Sequence, residues 1–242
     1  MENIDNKTVA EIVTENIKTA DVFKKNGIDF CCGGHVSVQE ICAKKGVDYA
    51  LLKEELLKIE STVSNTHNFN DWELDFLADY IVNTHHKFVV EANNLIAQYA
   101  DKVAKVHGHH YTEVIEINNI FKEIAAELNN HMRKEEMILF PHIKEMAKAK
   151  KNGLSIAPPP FGSIQNPINM MEAEHTDVGD LIKKIAELSN NFTPPTGACN
   201  TFRALYNKLE EYQNDLFQHI HLENNILFPK AIMIEQELLR KN

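Results

Sequence analysis

Two histidine–glutamate pairs are the residues of this sequence best suited to chemistry. His131 and Glu135 are four residues apart, and so are His219 and Glu223. Residues with this spacing lie on one face of a helix, so each pair places an imidazole beside a carboxylate. In both pairs that face is the apolar one, and an ionised glutamate in an apolar core is costly unless a cation compensates its charge. The two pairs therefore predict metal ligands.

The pairs belong to an internal repeat. Each glutamate is followed, after two residues, by Ile-Leu-Phe-Pro, and the two copies lie 88 positions apart, from 131 to 219. Four amphipathic segments carry or flank them, at about residues 71–106, 111–149, 166–191 and 200–239, with breaks at clusters of proline and glycine. No segment alternates as a strand would. We predict an all-α fold: an up-down-up-down four-helix bundle made from a duplicated helical hairpin.

The first and third segments supply matching histidines. His175 lies on the apolar stripe of the third segment, and its distance from the turn places it level with His219. The first segment carries adjacent His85 and His86, which the same construction places level with His131. His85 lies nearer the apolar stripe, so it is the predicted ligand and His86 is the alternative. The predicted ligand set is one histidine per helix and two glutamates: His85, His131, Glu135, His175, His219 and Glu223.

The composition of this ligand set indicates the metal. Six nitrogen and oxygen ligands without a thiolate suit two iron ions better than tetrahedral zinc or an all-oxygen magnesium or calcium site. The two glutamates can bridge the ions, and coordination positions remain for water, an oxo bridge or a small ligand. If the histidines were ordinary core residues, two buried carboxylates would lack partners.

Adjacent cysteines form a second group, near the N-terminus. Cys31 and Cys32 precede two glycines, and a disulfide between neighbours would be strained because their Cα atoms are only about 3.8 Å apart. A helix beginning near Ser37 could lower the pKa of a thiol if its N-terminus faced the pair. Two interpretations stay open: redox or iron-transfer thiols, or two small buried residues at a turn.

Composition limits the remaining possibilities. The 242 residues carry 35 acidic and 25 basic side chains, a net charge of −10 that disfavours binding to nucleic acid or an anionic membrane. No apolar run is long enough for a membrane span, and the first residues lack a signal-peptide pattern. Four cysteines are too few for a disulfide scaffold, so a cytoplasmic location is predicted. The predicted layout is a small helical domain at 1–60 with the Cys-Cys-Gly-Gly motif, a linker at 61–70, and the bundle at 71–242.

Three motifs carry a family resemblance that spans nearly the whole chain. The segments 27–34 (GIDFCCGG), 171–175 (MEAEH) and 219–229 (HIHLENNILFP) resemble the hemerythrin-like di-iron proteins that repair iron centres, the RIC proteins of ScdA and YtfE type. The resemblance implies a hemerythrin-like bundle and a non-haem, carboxylate- and oxo-bridged di-iron centre held by the six predicted ligands. It also implies a stress-response role, in which iron–sulfur clusters damaged by oxidative or nitrosative stress are restored with iron from a labile centre.

Under this resemblance the chain is an iron donor rather than a conventional enzyme. Damaged iron–sulfur proteins are then its partners, and a homodimer is an open prediction. The thiols Cys31 and Cys32 become the redox or iron-handling element.

The alternative is a protein that binds or reduces a small molecule such as O2, NO or nitrite at the di-iron site. Oxygen carriers of this fold have a further histidine four residues after the third-helix ligand, where this chain has Gly179. A ferroxidase is disfavoured because ferritin-like sites use Glu-x-x-His.

Overall fold

The computed structural model describes residues 4–61, 68–157 and 159–240. Its architecture is all-α, as predicted, and the described part contains a single isolated β-bridge, between Thr8 and Ser37. Residues 62–67 of the predicted linker and Pro158 of the proline-rich loop lie outside the described residues.

A small helical unit forms the N-terminal part of the chain. Thr8 and Glu11 have the Thr-x-x-Glu spacing of a capping box and form its two reciprocal hydrogen bonds at the start of the first helix. The Ser37 side chain accepts a hydrogen bond from the Glu40 N–H at the start of a later helix. A 3-10 turn, Ile4–Asn6, precedes four helices: α1 (Val9–Glu15), α2 (Thr19–Lys25), α3 (Val38–Lys45) and α4 (Tyr49–Ser61).

Four long rods form the bundle, close to the predicted segments. A 3-10 turn, Phe69–Asp71, leads into it. The helices of the rods are α5 (Leu74–Ile81) with α6 (Lys87–His107), α7 (Glu113–Lys134) with α8 (Phe140–Asn152), α9 (Gln165–Leu188), and α10 (Asn200–Leu222) with α11 (Phe228–Leu239). Helix α7 packs against α9 and α6, and α6 packs against α10.

Three rods contain a wide π-helical turn where their two helices join. The first π-turn is Val82–His86, the second is Glu135–Leu139, and the third is Glu223–Leu227. Each includes predicted ligands, and π-turns inside α-helices are frequent at functional sites. Because a π-turn holds more residues than an α-turn, it changes which side chains face the bundle axis.

The buried apolar residues of the bundle form two clusters. One joins the N-terminal unit to one half of the bundle and includes Leu128, Val178 and Leu216, whereas the other fills the opposite half and includes Ile81 and Met171. The predicted ligands belong to neither cluster and form a buried polar layer between them. Such a layer requires compensation of its charge.

Candidate metal centre

Six buried side chains converge in this polar layer, and one histidine comes from each rod. They form two groups of four, and both groups share Glu135 and Glu223. Within each group the four ligand atoms lie within 4.8 Å of one another, and all six side chains are at least 98% buried. The first group adds His86 and His219 to the glutamates, and the second adds His131 and His175.

Each glutamate lies between the two groups. Oε2 of Glu135 is 3.3 Å from Nε2 of His86 and 3.3 Å from Nε2 of His131. On the other side, Glu223 places Oε1 2.9 Å from Nε2 of His219 and Oε2 3.1 Å from Nε2 of His175. Each carboxylate thus contacts one histidine of either group, which is the arrangement that a carboxylate bridging two cations needs.

Residues outside the cluster fix three of its imidazole rings. Nδ1 of His86 lies 2.8 Å from Glu136, and Nδ1 of His131 lies 2.9 Å from Glu174. Nδ1 of His175 lies 2.8 Å from Oδ1 of Asn224. Partners of this kind orient metal-binding histidines, since a bond at Nδ1 directs Nε2 towards the metal.

Sequence reasoning missed these three partners. Glu136 and Asn224 directly follow the glutamates of the repeat, and Glu174 directly precedes His175. Their adjacency to a predicted ligand was the available signal, but adjacency alone does not show which ring a side chain reaches.

The histidine of the first rod needs a correction. The sequence favoured His85, but the structure places the alternative, His86, in the cluster. His85 turns its Nδ1 to Asp215 at 3.0 Å, and its ring stacks on that of His219 with centroids 5.6 Å apart. The reason is the first π-turn, which ends at His86 and invalidates a helical wheel of 100° per residue.

The charges of the cluster support a cation site. Burial opposes the charged form of Glu223, yet the neighbouring His219 and His175 hold its pKa well below the usual range. Burial likewise opposes a charge on His86, but the nearby carboxylates of Glu135 and Glu223 raise its pKa to about 10. The carboxylates are therefore ionised, and without metal the imidazoles would have to take up protons to balance them.

The residues present fit two iron ions. Both oxygens of Glu135, Oε2 of Glu223 and Nε2 of His86 are buried without a hydrogen-bond partner in the described structure. Orphaned atoms that point into one layer are available as ligands. Each group offers two imidazoles and two shared carboxylates, a donor set that suits iron.

A cavity of about 300 Å³ reaches this layer from the surface. It lies beside α7 and α9, and His131 is the cluster residue that lines it. Glu127, Glu174 and Asp177 also line it, together with Lys134, which forms an ion pair with Glu174. Three carboxylates against one ammonium make its lining attractive to cations.

The predicted thiols lie in a loop of the N-terminal unit. The loop is ordered by Asp29, whose Oδ1 accepts the N–H groups of Cys31 and Cys32 at 3.0 Å each. The other oxygen of Asp29 accepts a hydrogen bond from Lys183 of α9 at 2.8 Å. Cys31 is buried and Cys32 is half-buried, both are free thiols, and their sulfurs are 3.8 Å apart.

The pKa of the buried thiol is shifted upwards. A hydrogen bond with Cys32 and burial raise the pKa of Cys31 well above its usual value, and the charge of Asp29 adds to this. The helix near Ser37 does not lower the pKa of Cys31, because the carboxylate neighbour and the apolar surroundings of this thiol both disfavour a thiolate.

Comparisons with known proteins agree with this geometry. Residues 77–231 match the family model of the hemerythrin HHE cation binding domain, and residues 5–60 match ScdA_N, described as a domain of unknown function (DUF542). The iron-sulfur cluster repair protein YtfE of Edwardsiella ictaluri is 34% identical over 93% of this chain and 96% of the relative. The protein of the same name from Yersinia pseudotuberculosis is 34% identical over 94% and 97%, respectively.

Fold and site together define a cation-binding protein of hemerythrin type with a non-haem di-iron centre. The chain belongs to the hemerythrin family and, at 34% identity over nearly its whole length, to its YtfE-type members. Among the described helices, none has the length and apolarity needed to cross a membrane.

Proposed function

We propose that this protein repairs iron–sulfur clusters damaged by oxidative or nitrosative stress by supplying iron from a labile di-iron centre. One observation carries the proposal: two groups of four ligands share both buried glutamates, and the cavity beside one group reaches the surface. The curated relatives are named for iron–sulfur cluster repair, and the partners of this chain would accordingly be damaged iron–sulfur proteins.

The proposed ligands are those that the structure brings together: His86, His131, Glu135, His175, His219 and Glu223. Bound iron would supply Lewis acidity and one-electron redox chemistry in this layer. The protein contributes orientation, because Glu136, Glu174 and Asn224 hold three imidazoles at Nδ1. Apolar clusters in the two halves of the bundle also shield the layer from water along the bundle axis, away from the cavity beside His131.

Lability is a consequence of the ligand count. Each ion would be held by two imidazoles and would share both carboxylates with its neighbour, which leaves coordination positions free. Near His131, the cavity carboxylates offer oxygen ligands to an ion on its way to or from the surface.

The proposal also covers the two cysteines, the domain layout and the location of the protein. Cys31 and Cys32 would act as redox or iron-transfer thiols of the domain at 1–60, with 61–70 as linker and 71–242 as the metal-binding bundle. The chain would be an iron donor and not a conventional enzyme. A cytoplasmic location and a homodimer stay predictions.

The test uses purified iron-loaded protein and a dehydratase whose iron–sulfur cluster has been damaged by peroxide. We expect dehydratase activity to return while the protein loses an equivalent amount of iron, measured after the two proteins are separated. A variant carrying Glu135→Gln and Glu223→Gln, which lacks the shared ligands, is the control and should restore little activity. Recovery of the dehydratase while both irons stay on the protein would contradict iron donation.

A further inference from the structure

Three consecutive residues of the third π-turn reach two different sites. Glu223 enters the metal cluster, and Asn224 accepts a hydrogen bond from the ring of His175. Nδ2 of Asn225 donates to backbone carbonyl oxygens of the cysteine loop, 3.2 Å from that of Cys31 and 3.4 Å from that of Phe30. One wide turn therefore contacts both the metal ligands and the thiol loop.

The cysteine loop is held close to the helix that carries a ligand. Gly179 of α9 lies one turn after His175 and is buried. A Cβ added at Gly179 would meet Cys32 Sγ at 3.9 Å and, apart from its own stretch of helix, no other heavy atom of the described residues within 4 Å. The thiol of Cys32 thus lies over the stretch of α9 where a side chain one turn from His175 would otherwise project.

The internal repeat provides a comparison within the chain. Met137 lies 88 positions before Asn225, at the same place in the second π-turn, and it is 70% exposed. Asn225 is instead half-buried beneath the loop of the N-terminal unit, and its Nδ2 also lies 3.0 Å from Nδ1 of His221. The amide is present in the copy of the repeat that contacts the loop, where it lies between His221 of α10 and the loop carbonyl groups.

We propose that Asn225 is a positioning residue that holds the Cys31–Cys32 loop on the bundle and makes thiol reactivity depend on metal occupancy. The second part rests on the proposed function, because it requires cations at Glu223. Glu223 and Asn225 lie two residues apart in the same five-residue turn, so a cation held at Glu223 would restrain the turn that also carries Asn225. If bound iron changes the equilibrium between the closed and the displaced loop by some factor, displacement of the loop must change the affinity for iron by that same factor.

The experiment measures the rate at which a maleimide labels Cys31 and Cys32, in protein with and without iron. A Cys199→Ser background removes the exposed thiol outside the loop. We expect Asn225→Ala to accelerate labelling about five- to tenfold in metal-free protein, since it loses hydrogen bonds that keep the loop closed. We also expect Asn225→Ala to remove the difference in labelling rate between the iron-loaded and metal-free forms. The matched control, Met137→Ala, should keep the wild-type labelling rates in both forms, and therefore the difference between them.

Further variants and outcomes separate the parts of the proposal. Asn225→Gln keeps the amide and should lie closer to wild type than Asn225→Ala; protection of buried Cys42 from labelling verifies that each variant is folded. Wild-type labelling rates in folded, metal-free Asn225→Ala would overturn the positioning role. Equal rates for wild-type protein with and without iron would overturn the coupling. A chain that takes up no iron would overturn the proposed function, while the metal-free comparison would still decide the positioning role.

Discussion

At the scale of single residues, contact between Nε2 and the shared glutamates separates a ligand from a neighbour. His86 uses Nδ1 to contact Glu136 and keeps Nε2 for the cluster. His85 uses Nδ1 to contact Asp215, and its buried Nε2 has no partner in the described structure. Both rings are buried next to His219, so burial alone would not distinguish them.

This difference gives a prediction for the two adjacent histidines. Changing His86→Ala removes a ligand from the first group, and we expect the purified protein to hold at most one firmly bound iron per chain. Changing His85→Ala leaves all six proposed ligands in place, so it should retain the wild-type iron content. Metal analysis of both variants, prepared side by side, is the measurement. If His85→Ala lost iron while His86→Ala kept the wild-type iron content, His85 would be the ligand and His86 would not.

At the scale of structural elements, the cysteine loop depends on one ionised side chain. Burial opposes the charge of Asp29, but the ion pair with Lys183 and backbone N–H groups hold its pKa at about 2, below the ordinary value of 3.8. A depressed carboxylate pKa stabilises the folded state at pH values above the unfolded pKa. That contribution is lost as the pH falls from about 4 towards 2.

Replacement of Asp29 should therefore have an effect that depends on pH. We expect Asp29→Asn to lower the free energy of unfolding by about 1–2 kcal/mol at pH 7, after allowance for partial exposure of the ion pair. The deficit should shrink as the pH is lowered towards 3, because the Asp29 carboxylate of the unfolded wild-type chain takes up a proton there, whereas that of the folded chain stays ionised. Urea unfolding of metal-free protein at several pH values measures it. A deficit that stays constant from pH 7 to pH 3 would show that the charge of Asp29 is not the cause.

The helices and the site could be predicted from the sequence only in part. Apolar periodicity located the four rods, the Thr8–Glu11 spacing located the start of α1, and the repeat identified Glu135 and Glu223 as equivalent. These signals are local or periodic. The π-turns are not periodic: the extra residue shifts the apolar pattern that follows it, and the uniform 100° per residue that favoured His85 does not include this shift. Contacts such as Asn225 with Cys31 join residues far apart in sequence, and no spacing rule predicts them.

At the scale of the whole molecule, the polar layer divides the core. Apolar clusters on either side can pack without metal, yet the layer between them buries two carboxylates and four imidazoles. Protonation of His86 and His131, whose pKa values are both raised to about 10, balances part of this charge in the metal-free protein. Two cations would balance it more completely and would also join the four rods across the layer.

The stability of the whole chain should therefore depend on iron through the two shared glutamates. A ligand at one hundred times its Kd stabilises the folded state by about 2.7 kcal/mol, which corresponds to a Tm about 5–10 °C higher in a chain of this size. We expect removal of iron to lower the Tm of the wild-type protein by that amount. The Glu135→Gln, Glu223→Gln variant should show the same Tm with and without iron, because it has lost the ligands common to both groups. Thermal unfolding followed by circular dichroism measures the four Tm values, and metal analysis verifies the loading of each sample. If wild-type protein with two irons bound melts at the temperature of the metal-free form, the cations do not join the rods.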